Sequence, residues 1–174
     1  MNDMGGAVIN RSRRALLHGG RRTNAPMRPP WALAESHFLD ACTRCGDCVT
    51  ACPEVILTRG DGGFPERITD AGECSFCRDC VAACETGALD AQANSAWRWT
   101  VSIGDACLAA QGVVCFSCRD ACPERAISFV PSRGVAQPHL DSAHCTACGA
   151  CVAACPPSAI RLVANDLDFQ EDCA

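Results

Sequence analysis

Sixteen cysteines of this chain stand in four groups with a repeating interval. The first group is Cys42, Cys45, Cys48 and Cys52, the second is Cys74, Cys77, Cys80 and Cys84, and another is Cys145, Cys148, Cys151 and Cys155. Each of these reads Cys-x2-Cys-x2-Cys-x3-Cys. The remaining group, Cys107, Cys115, Cys118 and Cys122, keeps the later intervals but has seven residues after its first member. Three thiolates at i, i+3 and i+6 on a looping backbone can wrap a cubane iron–sulfur cluster and bind three of its irons. The fourth thiol, set in a Cys-Pro turn, points away and completes a neighbouring cluster, so such motifs work in pairs.

This pairing logic predicts four quartets. Cys42, Cys45 and Cys48 with Cys84 form the first, and Cys74, Cys77 and Cys80 with Cys52 form the second. Cys145, Cys148 and Cys151 with Cys122 form the third, and Cys107, Cys115 and Cys118 with Cys155 form the fourth. The expected cofactors are [4Fe–4S] clusters: three from the regular motifs, and a fourth unless the irregular group is a cluster-free remnant or a labile site. Structural zinc also uses Cys-x2-Cys pairs, but it needs neither a third Cys three residues on nor a fourth before Pro, repeated along a chain. A disulfide framework is the other reading of so many cysteines; a reducing compartment argues against it. Cys173, the seventeenth, is left over and reads as a free thiol in the tail.

The elements that must hold these thiols are short. After the last Cys of each group the chain runs Pro53-Glu54-Val55-Ile56-Leu57, Glu85-Thr86-Gly87-Ala88-Leu89, Pro123-Glu124-Arg125-Ala126-Ile127 and Pro156-Pro157-Ser158-Ala159-Ile160. Each passes from a turn into apolar residues suited to a short strand. Val55–Arg59 and Phe64–Ile68 flank the turn Gly60-Asp61-Gly62-Gly63, and Ala126–Val130 and Val135–Asp141 flank a turn with Pro131 and Gly134; both read as hairpins. Short helices are expected around Asp47–Ala51 and Ala150–Ala154. The fold class is therefore α+β: tandem bacterial two-cluster [4Fe–4S] ferredoxin-like modules of short hairpins and short helices. The expected divisions are a basic, flexible leader over 1–34, modules over 35–92 and 99–164, and a tail over 165–174. Asp90–Arg98 marks the boundary, with Trp97 and Trp99 packing between the halves. His18, His37, His139 and His144 read as surface residues.

Composition agrees. There are three Trp, six Phe and no Tyr, too few large side chains to fill an ordinary core; inorganic clusters would take that space. Residues 1–34 carry a formal charge of +5 and the remainder −10. An acidic body argues against nucleic-acid binding, which needs a basic face. Ser12-Arg13-Arg14-Ala15-Leu16-Leu17 looks like a twin-arginine export motif, yet the next residues, His18-Gly19-Gly20-Arg21-Arg22, supply none of the apolar run that export needs. No stretch is long and apolar enough to span a membrane. The expected location is the cytoplasm. Nothing in the chain indicates its oligomeric state.

Beyond the cysteines, several stretches resemble the NapF family of ferredoxin-type proteins of the periplasmic nitrate reductase system. They are Ser12–Leu17, Arg28-Pro29-Pro30-Trp31-Ala32, Glu35–Leu39 before Cys42, Gly60–Pro65, Glu73-Cys74-Ser75-Phe76-Cys77, and Ile103-Gly104-Asp105-Ala106-Cys107-Leu108-Ala109. The resemblance implies a cytoplasmic accessory protein that binds the catalytic subunit of periplasmic nitrate reductase and helps mature it before export, by cluster assembly or redox priming. The chain departs from the ferredoxin motif at Glu85, where Pro usually follows the fourth Cys. Two other readings stay open: a plain electron-transfer ferredoxin of nitrate respiration, and a regulator or structural zinc protein. No Gly-rich phosphate loop, nucleophile elbow or hydrolase motif is present, so no enzymatic role is expected.

Overall fold

The computed structural model describes residues 26–92 and 99–164. Arg13, Arg14, His18, Trp97 and Cys173 lie outside them.

The two modules follow one plan. In the first, α1 (Glu35–Ala41) leads to the first motif, whose short helix α2 is Asp47–Thr50. The hairpin β1 (Leu57–Arg59) and β2 (Pro65–Arg67) follows, then α3 (Asp79–Ala82) in the second motif. The second module opens on β3 (Trp99–Ile103), continues through α4 (Ser117–Asp120) and the hairpin β4 (Ile127–Val130) and β5 (Gln137–Leu140), and closes with α5 (Ala150–Ala153) and β6 (Ile160–Ala164). The hairpins pair antiparallel, Leu57 opposite Arg67 and Ile127 opposite Leu140. Both expected hairpins form, trimmed at their ends, and the Gly60–Gly63 turn tightens into a single 3₁₀ turn with Gly62 at φ 66°. The expected helices form over Asp47–Thr50 and Ala150–Ala153.

Helices α1, α3 and α4, strand β3 and the pairing of β3 with β6 have no counterpart in the sequence reading. Helix α1 buries Phe38 completely. Strands β3 and β6 pair antiparallel from Trp99 opposite Ala164 to Ile103 opposite Ile160, joining the start of the second module to its end. The first module makes the same closure with one bridge, Ala32 to Leu89.

That bridge corrects the leader boundary. Residues 26–34 are not a flexible part of a leader: Met27, Arg28, Pro29 and Ala32 are all buried. Arg28 is held by later residues. It donates to Glu35 from Nε at 3.1 Å and from Nη2 at 3.0 Å, and to the Pro65 carbonyl at 3.1 Å. Its guanidinium also lies over the Phe38 and Phe64 rings at 5.1 and 5.4 Å.

Each module has its own core. Phe38, Ile56, Leu57 and Leu89 centre the first, and Val101, Ile127, Ile160 and Leu162 the second. The buried cysteines Cys48 and Cys80 belong to the first core, and Cys118 and Cys151 to the second. Trp99 packs on the second module's own core. Between the modules stand Met27, which enters that same core, and Arg67. Among the described residues no helix is long and apolar enough to cross a membrane.

Candidate functional site

Each motif builds its thiol cage from the same backbone devices. The third cysteine, Cys48, Cys80, Cys118 or Cys151, is the second residue of a four-residue helix and is buried. Helices this short do not stand alone in water; α2 packs against α3, and α4 against α5. In the regular motifs a left-handed residue turns the chain into the helix: Gly46, Arg78 and Gly149. A second left-handed residue lies between the first two cysteines: Arg44, Phe76 and Ala147. Such conformations are costly for residues other than Gly, and here they aim successive thiols inward.

After the fourth cysteine the turn repeats four times. Its third residue is left-handed in every case: Val55, Gly87, Arg125 and Ser158. The next two are buried, Ile56-Leu57, Ala88-Leu89, Ala126-Ile127 and Ala159-Ile160. The turn also supplies donors to sulfur. The amides of Ala126 and Ala159 each donate to the preceding fourth cysteine, Cys122 and Cys155, at 3.3 Å. Glu85 in place of Pro leaves this turn intact, because Gly87 and the buried Ala88-Leu89 do the shaping.

Thiols of neighbouring motifs come near one another, across the expected quartets as well as within them: Cys80 lies near Cys48, and Cys151 near Cys118. Cys48 feels the charge of Cys42, Cys45 and, from the other motif, Cys84. Cys74 lies near Cys77 and Cys52, and Cys80 near Cys74 and Cys77. Cys151 lies among Cys148, Cys145 and Cys122. In the irregular motif Cys118 has Cys107 and Cys115 beside it. Cys107 reaches there on a compact loop. Its turn is pinned by Gln137 Nε2 donating to the Ala109 carbonyl at 2.8 Å, with Ala109 itself buried.

Burial controls the thiols' proton affinity. It pushes Cys48 up to about 11 and Cys80 and Cys151 up to about 12, with neighbouring thiolates adding to the effect. Cys84 is also raised by burial, but the amides of Leu89, Thr86 and Ala88 and the Thr86 hydroxyl outweigh it, and the thiol falls below its ordinary value. The Ser117 amide and hydroxyl lower Cys115.

The donor set fits an iron–sulfur cluster. Cys42, Cys45, Cys48 and Cys84 line an open hollow of about 530 Å³, and Cys122, Cys145, Cys148 and Cys151 line another of about 310 Å³. Thiol-only donors with amides aimed at sulfur are the surroundings a [4Fe–4S] cluster takes. Bound there, a cluster supplies one-electron storage and transfer; the chain supplies the cage, the amide donors and the apolar wall. None of the sixteen described cysteines is in a disulfide.

Comparison with known proteins agrees with this geometry. A family model described as "4Fe-4S dicluster domain" matches residues 29–89, and a second of the same description matches residues 113–159. The chain is 47% identical over 154 residues to the ferredoxin-type protein NapF of Escherichia coli, covering 87% of this chain and 94% of that protein. It is 44% identical to the protein of that name from Haemophilus influenzae over 146 residues, covering 83% and 82%. The methylamine utilization ferredoxin-type protein MauM of Paracoccus denitrificans is 37% identical over 173 residues, covering 84% of this chain and 77% of that protein. With dicluster matches lying on both modules, and identity running along most of its length, the chain belongs to the NapF family of ferredoxin-type proteins and carries multiple [4Fe–4S] clusters.

Proposed function

We propose that this protein is a cytoplasmic accessory protein that binds the catalytic subunit of periplasmic nitrate reductase and helps mature it before export, by assembling or reducing that subunit's cluster. Four quartets hold its own clusters: Cys42, Cys45, Cys48 and Cys84; Cys74, Cys77, Cys80 and Cys52; Cys145, Cys148, Cys151 and Cys122; and Cys107, Cys115, Cys118 and Cys155. The observation that carries the reading is 47% identity spanning nearly all of a NapF protein. The role is not enzymatic. The sequence motifs that carry chemistry are cysteine groups, and no hydrolase, nucleophile-elbow or phosphate-loop motif accompanies them.

A tagged chain used as bait in cytoplasmic extract is expected to recover the nitrate reductase catalytic subunit. Nitrate reductase purified from a strain lacking this protein is expected to be deficient in cluster and slow with artificial electron donors. Full cofactor content and full activity in that strain would remove the maturation role. The second reading, an electron-transfer ferredoxin, would then stand on the continuous run of thiol quartets through both modules.

A further inference from the structure

A buried cation lies where the two modules meet. Arg67, the last residue of β2, is 4% exposed. Its Nη1 donates to the Ala147 carbonyl at 3.1 Å. Its Nη2 donates to the Cys148 carbonyl and, at 3.4 Å, to the Gly72 carbonyl. Ala147 and Cys148 belong to the second module, whereas Gly72 lies just before Cys74 of the first. The Cys74 amide donates to that same Cys148 carbonyl at 2.8 Å. Two thiol-bearing loops from different modules thus share one carbonyl and one guanidinium. Gly149 makes room for it: a Cβ there would run into Nη2 and lie 3.1 Å from the Gly72 oxygen.

The first module contains an exposed version of the same device. Arg59, on β1, donates to the carbonyls of Arg44, at 3.3 Å, and Cys45, and lies over Gly46. In both cases a hairpin arginine caps the second cysteine of a motif and rests on the glycine after it. Arg59 does so within its own module. Arg67 reaches into the next one, where burial strips its guanidinium of water, a cost that carbonyl dipoles alone offset poorly. The charges it faces are those of Cys74, Cys148 and Cys52, ligands of the second and third quartets.

We propose that Arg67 is a positioning residue of an electron-transfer junction: it clasps the second and third quartets together across the module boundary and raises the reduction potential of the centres they hold. This rests on the assignment of those quartets as cluster ligands. A fixed positive charge in a poorly solvated site favours the more negative, reduced form of a nearby centre. A crossing is a one-electron exchange: one side is oxidised by one electron, the other reduced by one, and no proton or further reactant takes part.

The test is a potentiometric titration of anaerobic, cluster-loaded protein followed by electron paramagnetic resonance, beside iron and sulfide analysis. Arg67→Met is expected to keep its iron while two centres become harder to reduce. The expected change is about tenfold in the one-electron equilibrium, or about 59 mV. Arg67→Lys is expected to restore most of it, since the charge returns without the fork. A methionine variant with full iron and a titration superimposable on the unmodified protein's would overturn the proposal. If that variant loses iron, Arg67→Gln, which keeps a donor toward Cys148 and drops only the charge, carries the same expectation and the same refutation. Absence of iron from the unmodified protein would instead refute the ligand assignment.

Discussion

At the scale of single residues, the four members of a motif are chemically unequal. The third cysteine sits inside a helix and a core, and burial makes its thiol reluctant to ionise. Metal binding must remove that proton, so cluster loading weakens as pH falls. In cluster-free protein the sign is reversed. An unfolded thiol ionises near 9.0, whereas Cys48 does so only near about 11, and Cys80 and Cys151 near about 12. The folded chain holds these protons longer, so its stability from them is complete below about 9 and is lost as pH rises toward 11–12. Mass-mapped alkylation of cluster-free chain should label Cys84 and Cys115 at lower pH than Cys48, Cys80 and Cys151; simultaneous labelling would contradict these environments. That the chain carries multiple clusters was legible in the sequence, because a cluster loop needs fixed intervals of cysteine. Arg67 was not legible there. Its partners in the second module, Ala147 and Cys148, lie some eighty positions away in the chain, and no local pattern marks a side chain that crosses between modules.

At the scale of elements, the repeated turn after each fourth cysteine matters more than the proline that announces it. Its third residue is left-handed whatever the side chain, including the β-branched Val55 at φ 53° and 72% exposed. The second repeat has Gly87 there, at φ 70°. Left-handed backbone costs a non-glycine residue ~1–2 kcal/mol, and an exposed valine has little packing to lose. Val55→Gly is therefore expected to stabilise the loaded protein by ~1 kcal/mol in anaerobic denaturant unfolding. A clear loss of stability would mean that the side chain contributes more than its exposure suggests. The hairpins were readable because apolar residues flank recognisable turn residues. The β3–β6 closure was not, since its strands are about sixty residues apart and only register joins them. Helix α1 escaped notice because its buried face rests on Phe38 alone, too little for a helical period to emerge.

At the scale of the molecule, two like modules stand in series, each closing its own start on its own end. Charge summed over the first 34 residues made them look like one leader, but Met27 and Arg28 are buried against later parts of the chain. Poverty in aromatic residues was a sound guide to the interior. The cores include the buried cysteines, and two of the thiol quartets border hollows that clusters would fill. The central claim is the number of clusters these quartets hold, including the one served by the displaced Cys107. Iron and acid-labile sulfide per chain, measured on anaerobically purified protein, test it most directly. The account predicts about sixteen of each, falling to about twelve in Cys115→Ala; a colourless protein containing zinc, or an iron content that Cys115→Ala leaves unchanged, would contradict it.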